Sequence, residues 1–297
     1  DNTFSYSLGA GGVATGSINV ITLNMNRLVQ KGANIVEEVR KIHKYQVAYR
    51  SLINEYEAAG LLPVYKAGFI SLDKQFLTIG INGMVEAAES KGIVASNNSE
   101  YKAFVNSHLK AIYDENKLAK KEYGYLFNTE FVPAENLGVK NAKWDREDGL
   151  KVTRDCYNSY FYEVESDATN TLDKIILHGN ELIKYLDGGS ALHLNLEETP
   201  NKEGFVKLIH ATAASGCNYF CFNIRITICN DCEHIDKQTV YSCKSCGSAD
   251  VDHATRVIGY LKRVSSFSSG RQKEHQLRHY HLKKNTSKLN EKELFVI

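Results

Sequence analysis

The chain has 297 residues, 43% of them hydrophobic, and 36 lysines and arginines against 35 acidic residues leave a formal charge of +1. That length and apolar content support one large or two smaller packed domains, and the balanced charge excludes a global field that would draw in nucleic acid or an anionic membrane. No apolar run approaches the roughly 18 residues of a membrane span, and the amino end lacks the basic-then-apolar pattern of a signal peptide.

Seven cysteines, four of them in Cys-x-x-Cys pairs, suit a reducing compartment with metal-bound thiolates better than a disulfide framework, so a cytoplasmic location is expected. Residues 5–16, rich in Ser, Ala and Gly, read as a loop, and the chain opens as though inside a domain, which predicts a downstream piece of a longer protein. Ile18 to Asn24 is a β-branched, apolar run and predicts a buried strand. From Ala33 to Ala59 the residues Ile35, Val39, Ile42, Tyr45, Tyr49, Leu52 and Tyr56 recur at helical spacing, predicting a long amphipathic helix with this stripe facing the core; Gly60 ends it. Phe76 to Gly83 predicts a strand and turn leading to a helix over Met84–Ser90, with Asn82 either a helix cap or a residue near an active site.

Residues 99–122 predict a helix with a solvated outer face, and Tyr125 to Glu130 a strand. Glu135 follows at a turn, where a carboxylate either caps the next helix or handles protons and hydroxyls. Asn158 to Tyr162 predicts a short strand whose polar first residues, Asn158 and Ser159, face a ligand; neighbouring Cys156 reads as a buried thiol. Asn170 caps a helix carrying Leu172, Ile175, Ile176, Leu182, Ile183 and Leu186 on one face. A strand over residues 191–196, a helix over 202–214 and one long strand from Tyr219 to Ile228 complete the alternation, which argues for parallel βα units. Cys217 and Cys221, four apart on that strand side, form either a dithiol or ordinary packing.

The carboxyl-terminal seventy residues carry the sharpest chemistry. Cys229-x2-Cys232 and Cys243-x2-Cys246, joined by a short polar stretch, can place four thiolates at the corners of a tetrahedron, the arrangement Zn2+ favours. Arg256-Val257-Ile258-Gly259-Tyr260 follows. A stable carbon radical needs a flat Cα between an amide nitrogen and a carbonyl, which glycine alone allows without a side-chain clash; the bland alternative is that Gly259 makes a turn.

The Arg-Val-x-Gly-Tyr stretch resembles the radical loop of glycyl radical enzymes, and with a four-cysteine knuckle before it the chain is similar to the large subunit of anaerobic (class III) ribonucleotide reductases. Gly216-Cys217-Asn218-Tyr219-Phe220 and the tail residues Glu274, Arg278 and His281 extend the likeness, as do Thr15–Asn24, which resembles the barrel strand after the family's thiyl-bearing finger loop, and Pro133–Gly138.

This resemblance implies an α/β fold that forms the second half of a ten-stranded glycyl-radical-enzyme β/α barrel over residues 1–228, followed by a zinc knuckle over 229–247 and a radical loop with basic tail over 248–297. It implies a radical on Gly259, installed by a radical-SAM activase with a [4Fe-4S] cluster, and substrate contacts from Asn19, Glu135, Asn158 and Ser159. The thiyl cysteine and the sites for ATP or dNTP effectors would lie upstream, since the first cysteine here is Cys156. The reaction implied is reduction of ribonucleoside triphosphates to 2′-deoxyribonucleoside triphosphates for DNA synthesis. The partners implied are the activase, the upstream half and, when complete, a second copy; no membrane is involved. A zinc-ribbon nucleic-acid-binding module is the alternative, resting on Lys262, Arg263, Arg271, Lys273, Arg278, Lys283, Lys284, Lys288 and Lys292 in the tail.

Overall fold

The computed structural model describes residues 15–132, 136–196, 200–256 and 259–280. In chain order the elements are β1 (Gly16–Asn24), α1 (Met25–Gln30), α2 (Ile35–Ala58), α3 (Pro63–Lys66), β2 (Gln75–Asn82), α4 (Met84–Ser90), α5 (Ser99–Tyr123), β3 (Leu126–Phe131), α6 (Leu137–Glu147), α7 (Thr171–Leu177), α8 (Asn180–Ile183), β4 (Gly189–Leu196), α9 (Lys202–Ala214) and β5 (Tyr219–Ile224). The strands β1 to β5 pair in sequence order, all parallel, so every connection is a crossover through helix. A second, antiparallel sheet follows in the order β7-β6-β8-β9, from β6 (Ile226–Cys229), β7 (Ile235–Asp236), β8 (Val251–Arg256) and β9 (Leu261–Arg263); α10 (Ser269–Leu277) ends the ordered sequence of elements. No helix among the described residues is long and apolar enough to cross a membrane.

Strand alternation gives the parallel sheet two unlike faces. Ile79, Ile81, Phe131, Leu192, Leu194 and Leu196 pack with Val39, Ile42, Val105, Leu109 and Ile112 of the helices in one core. The intervening positions are polar: Ser17 Oγ meets Thr78 Oγ1 at 2.5 Å, Thr78 Oγ1 donates to Asn128 Oδ1 at 2.6 Å, and Asn223 Nδ2 donates to Asn195 Oδ1 at 3.0 Å. A parallel sheet is ordinarily apolar on both faces. A polar second face therefore reads as a surface built for something other than a helix layer. It also explains Gly80, where an added Cβ would lie 2.3 Å from Thr22 Oγ1 on the neighbouring strand.

Four sequence expectations need correction. The long helix exists, capped by Asn34, but its Tyr45, Tyr49, Leu52 and Tyr56 are 39–62% exposed. The buried face is instead Val39, Ile42, His43, Gln46 and Arg50, because the polar members find buried partners: His43 Nε2 with Asn116 Oδ1 (2.8 Å), Gln46 Nε2 with the Thr78 carbonyl (2.7 Å) and Arg50 Nη1 with that of Leu72 (2.7 Å). Residues 158–162 form no strand; Asn158 and Ser159 bond to Glu86 and Asn82, and Phe161 N and Tyr162 OH to His178 and the His193 carbonyl, rather than to a ladder. The helix capped by Asn170 ends at His178, and α8 restarts after Gly179, whose Cβ position is blocked at 2.5 Å by the Ser215 carbonyl. The single strand expected over 219–228 divides at Arg225 into β5 of one sheet and β6 of the other.

The loop over 151–170 keeps its shape through Arg154, whose side chain is 5% exposed and reaches Glu86 (2.6 Å), Glu89 (2.7 Å) and Glu163 (2.7 Å). Arg154→Met leaves these carboxylates facing one another around a buried position. A loss of about 3–5 kcal/mol is expected, the usual result of removing one partner from a buried pair. Denaturant unfolding measures it, and a loss below ~1 kcal/mol would show that the loop stands without the arginine.

Candidate functional site

The carboxyl ends of β1 and β2 lie side by side, with Asn24 opposite Asn82 in the register. Ligands of open α/β sheets collect at these strand ends. Asn82 donates from Nδ2 to the Asn158 carbonyl and to Ser159 Oγ, both at 3.2 Å, and accepts from Asn141 Nδ2 at 2.9 Å. It is no helix cap: the cap of α4 is Gly83, at φ 76°, a left-handed position that suits glycine and lets its N–H reach the Asn158 carbonyl at 3.2 Å.

One turn into α4, Glu86 Oε1 accepts from Asn158 N (3.0 Å), Asn158 Nδ2 (2.7 Å) and Arg154 Nη1 (2.6 Å). Burial pushes the Glu86 carboxyl up and the Arg154 guanidinium works against that. Asn158 Oδ1 accepts from Val164 N at 3.2 Å, so the polar atoms of this side chain are consumed within the protein. Ser159 Oγ accepts from Asn82 and keeps its own hydrogen to donate.

Beside this cluster, the fully buried Asp145 gathers Asn24 Nδ2 (2.9 Å), Asn26 Nδ2 (2.9 Å), Tyr157 OH (2.8 Å) and Arg27 Nε (2.7 Å), tying the end of β1 to α6. Sequence reading missed Asp145 and Glu86. Both sit on helices as ordinary acidic residues, and only the fold shows that they turn inward.

Of the expected ligand residues, Asn158 and Ser159 are thus together. Asn19 is not with them: it pairs with Leu77, five residues before Asn82, or roughly 17 Å along the strand at ~3.3 Å per residue. Its Oδ1 is buried without a hydrogen-bond partner. Glu135 and His281 lie outside the described residues.

The polar sheet face continues to His193 and Cys221, opposite one another in β4 and β5. His193 Nδ1 lies 3.0 Å from Tyr160 OH, and burial, then Arg256 and Arg278, hold the imidazole down at about 3. Burial pushes the thiols of Cys156 and Cys217 up to about 12 and that of Cys221 to about 11, so all three are protonated packing groups. Cys217 Sγ donates to the Ile175 carbonyl while Cys221 Sγ donates to Asn223 Oδ1, on opposite sides of the sheet, which argues against a dithiol.

The four remaining cysteines converge: their sulfur atoms all lie within 4.8 Å of one another, with Cys229–Cys246 and Cys232–Cys243 at 3.6 Å. Four thiolates at ~2.3 Å from one zinc would stand about 3.8 Å apart, so the set fits a tetrahedral ion. Each pair is folded by the same turn, closed by Glu233 N to the Cys229 carbonyl (3.1 Å) and Gly247 N to the Cys243 carbonyl (2.9 Å), and both closing residues have positive φ. The backbone amides of Cys246 and Ser245 are directed at Cys243 and lower its thiol from the ordinary value.

From this knuckle β8 leads to the turn that carries Gly259, and β9 returns, with Arg256 paired to Leu261. Gly259 is exposed, and an added Cβ would meet no described atom within 4 Å. Behind the hairpin, Arg278 donates to the Arg256 carbonyl at 3.0 Å and to Glu274 at 2.8 and 2.9 Å. Burial raises the Glu274 carboxyl, but Arg278 outweighs it and holds the group below its ordinary value. Arg271 and Arg278 of the basic tail are thus buried beside Glu274 and unavailable to a phosphate backbone.

A family model described as "Anaerobic ribonucleoside-triphosphate reductase" matches residues 3–281. The chain belongs to this family. Among solved structures, one anaerobic ribonucleotide reductase is 32% identical with a TM-score of 0.82, over 90% of this chain and 45% of that one. The Thermotoga maritima reductase in complex with dATP and CTP is 32% identical with a TM-score of 0.79, over 90% of this chain and 46% of its own; with glycerol in the active site the TM-score is 0.81 at the same identity and coverage. No curated protein matches significantly. The chain therefore spans a little under half the length of the solved reductases it matches.

Within this reductase fold His178 and His193 are buried neutral, both held at about 3, chiefly by burial, against an ordinary 6.5. The unfolded chain takes up these protons first, so their contribution to stability is whole above pH 6.5 and is lost as pH falls towards 3. His193→Gln should flatten the slope of unfolding free energy across that window. An unchanged slope would remove His193 from the acid sensitivity.

Proposed function

We propose that this chain is the carboxyl-terminal part of an oxygen-sensitive anaerobic ribonucleoside-triphosphate reductase that stores a radical on Gly259. The observation that carries the reading is the glycine itself. Gly259 follows a four-cysteine cluster in an Arg-Val-Ile-Gly-Tyr stretch of a chain of this family. A planar radical at its Cα is delocalised over the amide and carbonyl, and a Cβ in that plane would collide with the flanking carbonyl oxygen, so the chemistry asks for glycine.

In this reading the five parallel strands are the second half of a ten-stranded β/α barrel over residues 1–228, with the knuckle at 229–247 and the radical hairpin and tail at 248–297. The polar sheet face lines the reaction chamber, supported by the buried row from Ser17 through Thr78 to Asn128. Cys229, Cys232, Cys243 and Cys246 hold Zn2+, which supplies a fixed base for the hairpin. A radical-SAM activase with a [4Fe-4S] cluster removes a hydrogen atom from Gly259. The cysteine that becomes a thiyl, takes the ribose 3′-hydrogen and so lets the 2′-hydroxyl leave as water belongs to the complementary upstream half. Formate or a dithiol redoxin supplies the electrons.

Ser159 offers a hydroxyl to substrate, while Asn158 shapes the wall through Glu86. Glu135 is a further candidate for the ribose hydroxyls; Asn19, far along β1, is the weakest of the set. A solved relative carries dATP and CTP, which supports a ribonucleoside triphosphate as substrate and a deoxynucleotide effector, bound upstream. Cytoplasmic placement and a second copy of the complete enzyme belong to the same reading.

The purified protein should carry about one zinc per chain by elemental analysis, and Cys243→Ser should shed it. Stoichiometric iron instead would contradict the assignment. After anaerobic treatment with a matching activase, S-adenosylmethionine and a reductant, the reductase assembled with its upstream half should give a doublet electron-spin signal from the one remaining α-hydrogen. Gly259→Ala should abolish that signal while folding and zinc survive, since the methyl meets no neighbour among the described residues. Air should then cut the radical-bearing chain at Gly259, releasing a carboxyl-terminal fragment of about 4 to 5 kDa at typical residue mass from the 33.3 kDa chain. A doublet in the alanine variant, or an uncut chain after air, would take Gly259 out of the mechanism.

A further inference from the structure

We propose that Arg256 tunes the radical residue electronically, through a charge-assisted hydrogen bond to the carbonyl over which the unpaired electron spreads. The inference rests on the Gly259 reading above and names a contact that reading does not require. Arg256 Nη1 donates to the Gly259 carbonyl oxygen at 2.8 Å, within the ~2.7–2.9 Å of hydrogen bonds between charged partners. In the radical, the half-filled orbital on Cα conjugates with the amide nitrogen on one side and the carbonyl π system on the other. A cation at the carbonyl oxygen makes that group a better acceptor, draws spin from Cα towards oxygen and weakens the Cα–H bond that has to break. This is stabilisation of developing charge by a donor already in place.

The donor is well anchored. Arg256 is the last residue of β8 and pairs with Leu261 across the hairpin, so its backbone is fixed on both sides of the tip. Its own carbonyl accepts from Arg278, which Glu274 holds in a buried pair. An arginine suits the task because its planar guanidinium presents a rigid fork of donors. The competing role is a plain staple that closes the hairpin. A staple would change folding or the amount of radical but not how its spin is distributed.

The test is the electron-spin spectrum of the assembled, activated reductase with wild-type Arg256, Arg256→Lys and Arg256→Met. Loss of the donor in Arg256→Met should return spin to Cα and widen the α-hydrogen splitting, with the radical decaying several-fold faster under anaerobic conditions. Arg256→Lys, which keeps a cationic donor, should fall between the two. If Arg256→Met assembles poorly, the lysine variant decides alone, by a splitting displaced from wild type. Identical splittings and decay rates in every variant that forms the radical would overturn the proposal. Absence of the doublet in the wild-type enzyme would instead strike the Gly259 reading.

Discussion

A single buried carboxylate, Glu86, does the work of a missing strand. The segment over 151–170 crosses the end of the sheet without a ladder, so its backbone and side-chain polar groups need other partners or they pay a heavy desolvation cost. Glu86 supplies three of them at one oxygen, two from Asn158 and one from Arg154. Its place on α4 is set by Gly83, whose left-handed φ turns the chain sharply from β2 into the helix. The wall of the candidate site thus depends on Gly83, Glu86 and Arg154, which hold Asn158 and its loop in place.

A second clamp sits behind the β8–β9 hairpin. Glu274 lies between Arg271 and Arg278, all three buried, and Arg278 reaches the strand that leads to Gly259. A basic tail that looks from its composition like a surface for polyanions is, in its described part, partly an internal fastening. Paired burial turns charges that would seek an external partner into a contact between α10 and β8.

Much of the fold is legible in the sequence because its period is carried by apolar residues with no competing option. The helix over Lys202–Ala214 and the cap at Asn170 are examples. Legibility failed where polar residues took over the packing. On α2 the buried face runs through His43, Gln46 and Arg50, each satisfied by a partner distant in sequence, while the aromatic stripe faces outward. The same holds for the site. Four cysteines at knuckle spacing announce themselves, but Glu86 and Asp145 are recognisable only once the fold closes around them. Gly259 is the opposite case, where the motif is plain in the sequence while the fold sets no described atom within 4 Å of an added Cβ.

The division of one strand run at Arg225 has a mechanical consequence. Because β5 and β6 are separated by a single residue, the small sheet is grafted onto the large one and has no flexible neck on which to swing. The part of this region that yields most easily is β9, which is held to β8 over only three residue pairs. Any displacement of the β8–β9 connection is then governed by how far that short strand peels, with the four-cysteine knuckle as the fixed end of the tether.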